Sequence, residues 1–138
     1  AGCRVGYGVA QKSVIEALGL TKLVYNLNVL SQNAALAALE YADDILAHNI
    51  PPTLAARDVF YKALEAVPEI TAYPSATNFV LIRVPDGPAM DKALRDADIS
   101  VRSYKADNLK DCLRITITTE DVVQKVVAVL TKEVKKHA

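Results

Sequence analysis

"ISVRSYKADNLKDCLRITIT", residues 99–118, is the stretch on which the fold turns. Ile99 and Val101 alternate with Ser100 and Arg102, and Leu113, Ile115 and Ile117 alternate with Arg114, Thr116 and Thr118. Strict alternation gives each run one apolar and one polar face, the pattern of a half-buried strand. The polar KADNLKD between them reads as a loop, so an antiparallel hairpin centred on Asn108 is expected. That register sets Arg102 directly across from Arg114, both on the polar face. Two such charges at about 5 Å repel by roughly 3 kcal/mol at an effective dielectric near 20, and by under about 1 kcal/mol in open water. Like charges directly opposite weaken a hairpin. An anion between them would reverse the sign, through charge-assisted hydrogen bonds of about 1.5–3 kcal/mol each. Splaying into water would also relieve the repulsion, and a one-residue slip would turn one arginine to the other face. Spacing alone leaves these alternatives open.

Working outward, EITAYPSATNFVLIRVP (69–85) holds two further β-type runs separated by proline, serine and asparagine. GPAMDKALRDAD reads as a short helix with Pro88 near its start. The last helix, TTEDVVQKVVAVLTKEVKK, carries a Thr118-x-x-Asp121 capping signal, acids in its first turn and lysines in its last. Val122, Val123, Val126, Val127, Leu130 and Val134 are expected to face inward. From residue 69 the order is strand, strand, helix, strand, strand, helix, which predicts an α+β fold: a mainly antiparallel or mixed sheet with helices on one face.

Towards the amino terminus, AGCRVGYGVA (1–10) reads as a short strand starting at Ala1, in which Gly2, Gly6 and Gly8 permit close backbone approach around Arg4. KSVIEALGL follows as a short helix ended by Gly19, and TKLVYNLNVL as extended or irregular chain. Ser31 is the expected cap of a helix whose stripe is Ala35, Ala38, Leu39, Ala42, Ile45 and Leu46. NIPP is expected to break it, with Pro52 opening a second helix on the stripe Ala56, Val59, Phe60, Ala63, Leu64 and Val67, ended by Pro68.

Composition narrows the function. Sixteen basic residues balance sixteen acidic ones, which argues against a nucleic-acid partner. Apolar runs such as NFVLIRV are far shorter than the roughly 20 residues a membrane helix needs. Cys3 and Cys112 lie far apart without CxxC spacing, and no leader is evident, so a cytoplasmic setting is expected. GYGVAQ lacks GxGxxG spacing, and neither His48 nor His137 stands in a recognised metal-ligand or catalytic motif, so no metal site is expected.

AGCRVGY, YNLNVLSQNAALAALE, FYKALEAVP, YPSATNFVLIRV, ISVRSY and DCLRITI follow one another in order. In this the chain resembles the C-terminal part of the histidinol-phosphate aminotransferases, within the fold type I pyridoxal-phosphate (PLP) aminotransferases. The resemblance implies a remnant of the large cofactor domain at 1–30, then a helical connection and the small domain at 31–138. It implies that Arg4 binds the cofactor phosphate and that Arg102 and Arg114 bind the anionic end of the substrate. Tyr7, Tyr25 and Asn78 fall in the same motifs without an implied role. The family's Schiff-base lysine lies just before AGxRxGY, which places it upstream of Ala1. No catalytic residue is therefore assigned within the chain, and the isolated chain is expected to be inactive. The missing N-terminal portion, 2-oxoglutarate, an amino donor and a second copy of the whole enzyme are the implied partners. Two other readings stand beside this one: an aromatic or other amino-acid aminotransferase of the same family, and a stand-alone regulatory module that binds a small ligand.

Overall fold

The computed structural model describes residues 3–137. Its elements are α1 (Lys12–Gly19), α2 (Val29–Glu40), α3 (Ala42–Leu64), β1 (Thr71–Ala72), β2 (Phe79–Arg83), α4 (Gly87–Asp96), β3 (Arg102–Ser103), β4 (Cys112–Thr116) and α5 (Glu120–His137). They fall into two compact units, the first ending at Ala47 and the second beginning at His48.

In the second unit the strands form one sheet in the order β1-β2-β4-β3, and every pairing is antiparallel. The element order read from residue 69 onward is the one observed, and the fold is α+β. Val80, Ile82, Leu113 and Ile115 turn to one face of the sheet and are buried. Against them pack Ala56, Phe60 and Leu64 of α3, Met90 and Leu94 of α4, and Val123, Val126, Leu130 and Val134 of α5. Each fully buried large side chain contributes about 1.5–3 kcal/mol, so this single cluster holds the unit together. Helix α4 starts as its sequence asks: the Asp86 carboxylate accepts from the Ala89 N–H at 2.9 Å, and Pro88 sits in the first turn.

Gly87 is where the backbone comes closest to a neighbour. A Cβ there would lie 2.2 Å from the Lys110 carbonyl oxygen and 2.8 Å from the Asp111 Cα. The Gly87 N–H meanwhile donates to the Asp111 carboxylate at 3.2 Å. Helix α4 is thereby seated directly on the chain that leads into β4.

Three expectations need correction here. Val122 is 37% exposed rather than inward, because the buried stripe of α5 is narrower than the valine run. The hydroxyl that bonds Asp121 belongs to Thr119, the residue next to the helix, not to Thr118. Pro51 and Pro52 do not separate two helices. They lie inside α3, which also ends at Leu64, short of Pro68. Neither ring nitrogen can donate to the carbonyl one turn earlier, but Thr53 Oγ1 donates to the Asn49 carbonyl at 2.9 Å, and the anchored stripe beyond keeps the chain helical.

The Thr119 hydroxyl, followed by backbone N–H groups, holds the Asp121 carboxyl below its ordinary value of 3.8. A depressed carboxylate stabilises the fold above its unfolded value and loses that contribution as the pH falls. Asp121→Asn is therefore expected to lower the melting temperature slightly at pH 7, with the difference vanishing in melts below about pH 3.

In the first unit, the strand expected over the opening decapeptide is absent from its described part, and residues 4–11 are irregular. A lone extended run is marginal without a partner strand, and no strand forms elsewhere among the described residues of this unit. Ala1 and Gly2 lie outside the described residues. The expected strand start at Ala1 and the position of the Schiff-base lysine upstream of it therefore stay readings of the sequence. A Cβ at Gly6 or Gly8 would meet open space, so close approach does not explain these two glycines. Helix α1 forms as read. Helix α2 begins earlier than expected because Asn28, not Ser31, caps it: Asn28 Oδ1 accepts from the Ser31 N–H at 2.8 Å. Tyr41 separates α2 from α3. The expected stripe is not buried. Leu39 is 57% and Leu46 52% exposed, and Leu36 and Ile45 join them at the surface.

Candidate functional site

The hairpin register follows the sequence reading. Arg102 pairs with Arg114, and Ser103 with Leu113. Arg114 also faces Leu81 of β2, so both arginines lie on the face of the sheet opposite the core. The Arg114 guanidinium carbon sits 4.8 Å from the centre of the Phe79 ring, and the side chain is half-buried. That of Arg102 is 6.0 Å from the Tyr104 ring, with the residue exposed.

Neither guanidinium has a hydrogen bond or an ion pair with a described residue. Ion pairs do form between neighbours on single helices, among them Lys12–Glu16, Lys92–Asp96, Arg95–Asp91 and Lys136–Glu133. None of the four strands carries an acidic residue. The Arg114 Nε–H is buried and has no acceptor, a state that costs about 1–3 kcal/mol. Two forks side by side, one with a dry unused donor, offer the donor set that a phosphate or a carboxylate needs.

A third arginine on this face escaped the sequence reading. Arg83 of β2 pairs with Cys112 and therefore points the same way as Arg114. Its Nε donates to the Tyr73 hydroxyl at 3.2 Å and its Nη2 to the Asn108 carbonyl at 3.1 Å. The Tyr73 hydroxyl, first among its neighbours, holds this guanidinium above its ordinary value. Tyr73 is itself fixed, its carbonyl accepting from the Tyr61 hydroxyl of α3 at 2.9 Å.

Arg4 lies in the first unit with φ +54°, the left-handed region that a non-glycine residue rarely enters. It is exposed and has no partner among the described residues. With Lys22, Tyr25, Asn26 and Gln32 it lines a concavity of about 650 Å³ that no carboxylate enters. Two cations and several neutral donors suit a phosphate group.

An α+β unit with uncompensated arginines on its open sheet face, following a unit with a second basic hollow, has the donor set of a protein that handles anionic small molecules. Its family is the class I and II aminotransferases, to which residues 1–130 match, and the chain belongs to it. The histidinol-phosphate aminotransferase of Thermoanaerobacter sp. (strain X514) is 38% identical over 120 residues, covering 86% of this chain and 34% of that protein. This chain thus spans about a third of the length of the curated relatives it matches. Among solved structures, a protein of Erwinia carotovora atroseptica SCRI1043 is 26% identical with a TM-score of 0.82, over 99% of this chain and 39% of that one. The histidinol-phosphate aminotransferase of Sinorhizobium meliloti, solved in complex with pyridoxal-5'-phosphate, gives a TM-score of 0.71 over 99% of this chain and 38% of that one. At 21% identity, that likeness speaks for the fold alone.

Proposed function

We propose that this chain is the substrate-anchoring C-terminal part of a PLP-dependent histidinol-phosphate aminotransferase. The whole enzyme would convert histidinol phosphate and 2-oxoglutarate into imidazole acetol phosphate and glutamate. The observation that carries this reading is the Arg102–Arg114 pair, opposed across two strands, lacking an acidic partner among the described residues and holding a buried unused donor. A dianionic phosphate ester satisfies both forks at once, and the carboxylates of 2-oxoglutarate and glutamate can use the same donors when their turn comes.

In this reading residues 1–30 belong to the large cofactor domain and residues 31–138 to the helical connection and small domain, with the Schiff-base lysine upstream of Ala1. Arg4 and Lys22 are the residues that would hold the cofactor phosphate. When bound, PLP serves as the electron sink for loss of the α-proton and carries the amino group between donor and acceptor. What the chain's own residues add is placement. Arg102 and Arg114 fix the far end of the substrate, so that its reacting carbon is held in one orientation rather than sampling many. The exposed apolar face of α2 and the start of α3 suits a homodimer or a covering domain, and the unbridged thiols Cys3 and Cys112 suit the cytoplasm.

The test is substrate preference in the complete enzyme. With 2-oxoglutarate as acceptor, kcat/KM for histidinol phosphate is expected to exceed that for phenylalanine or tyrosine by about 10²-fold or more, since a dianionic phosphate engages both forks whereas the aromatic donors offer them only a singly charged carboxylate. Equal or reversed values would move the chain to the aromatic aminotransferases.

A further inference from the structure

We infer that Arg83 is a positioning residue for the anion site, holding the loop that joins the two arginine-bearing strands so that Arg102 stays opposite Arg114. This rests on the anion-binding reading of that pair.

Strand β3 needs such help. It is two residues long, it lies at the edge of the sheet, and one of its two pairings sets like charges face to face. An edge strand that short has little ladder energy to resist the repulsion. The loop from Tyr104 to Asp111 is built from successive turns, with Leu109 N–H donating to the Ala106 carbonyl at 2.9 Å and Cys112 N–H to the Leu109 carbonyl at 2.8 Å. At its tip, the Asn108 carbonyl is gripped by Arg83, 25 residues earlier in the chain. The other edge of the same guanidinium is locked by Tyr73, which α3 holds in turn through Tyr61. The loop is therefore tied to the rigid side of the sheet by one planar fork used in two directions. Both of its acceptors are neutral, so the tie leaves the positive charge of the face uncancelled.

The experiment titrates the isotope-labelled 138-residue chain with inorganic phosphate while following arginine Nε–H signals, and measures amide exchange across residues 102–114. In the wild type, phosphate is expected to shift Arg102 and Arg114, and Arg114→Ala should abolish the response. Arg83→Gln is expected to weaken phosphate binding about five- to tenfold, the worth of one or two hydrogen bonds, and to speed exchange in the loop and β3 before any phosphate is added. Arg83→Lys should behave almost the same, because an ammonium cannot bridge Tyr73 and Asn108 together. Full binding in Arg83→Lys would mean that charge alone matters, and would overturn the inference. So would unchanged affinity and exchange in Arg83→Gln while Arg114→Ala still abolishes binding. A wild type blind to phosphate would instead sink the anion site itself, while the exchange data would still decide whether Arg83 holds the loop.

Discussion

Arg114→Ala is expected to lower kcat/KM for histidinol phosphate by about 10²–10⁴-fold in the complete enzyme, the loss of a bidentate grip at about 1.5–3 kcal/mol per charge-assisted bond. Most of the loss should fall on KM, because the fork binds a part of the substrate that does not change during the reaction. The companion change, Arg102→Ala, should act in two opposite directions. It weakens substrate binding, yet in an anion-free buffer it removes the like charge across from Arg114 and should stabilise the hairpin by about 0.2–1 kcal/mol. Arg102, 6.0 Å from the Tyr104 ring, suits this test better than Arg114, whose closer stacking on Phe79 at 4.8 Å would also be lost. Steady-state kinetics and a thermal melt without phosphate or sulfate read the two effects. If Arg102→Ala melts lower than wild type, or Arg114→Ala keeps kcat/KM within about twofold, the pair is not an anion site.

The largest structural effect is expected at Gly87. Replacing it with alanine drives a methyl group into the Lys110 carbonyl and the Asp111 backbone, neither of which is the movable end of a side chain. Either α4 lifts from the sheet or the entry to β4 moves, and the hydrogen bond from the Gly87 N–H to Asp111 is lost in both cases. A cost of about 3 kcal/mol is expected, seen as a fall of roughly 10–20 °C in melting temperature. Gly6→Ala is the control, since a Cβ there meets nothing within 4 Å, and it should be neutral or slightly stabilising. Equal behaviour of the two variants would show that the contact at Gly87 relaxes without cost.

The hairpin was legible because two alternating runs flank a loop with an evident centre, so that period and symmetry agreed on one register. The first ten residues misled for the opposite reason: a strand is a property of a pair, and this unit offers no partner among its described residues. Asn28 and Ser31 are both good caps, and only the positions of the N–H groups decide between them. The prolines at 51 and 52 misled because local propensity yields to a buried stripe downstream. Arg83 was out of reach for a topological reason. It shares a face with Arg114 only because β2 pairs with β4 across an intervening helix and strand, and no local pattern encodes that pairing. Of the proposed site, the opposed arginines could be read from the sequence, but the lack of an acidic partner for them among the described residues needed the fold.

On the proposed anion-binding reading, the opposed arginines also make the stability of this chain a property of its solvent. Any solute that binds the folded form and not the unfolded one adds RT ln(1 + [L]/Kd) to the unfolding free energy. Phosphate, sulfate and citrate in a buffer would each add their own increment, while a chloride-only buffer leaves the repulsion standing. On that reading, melting temperatures of this chain compare only at matched anion activity, with the buffer acting as an undeclared ligand in each stability measurement.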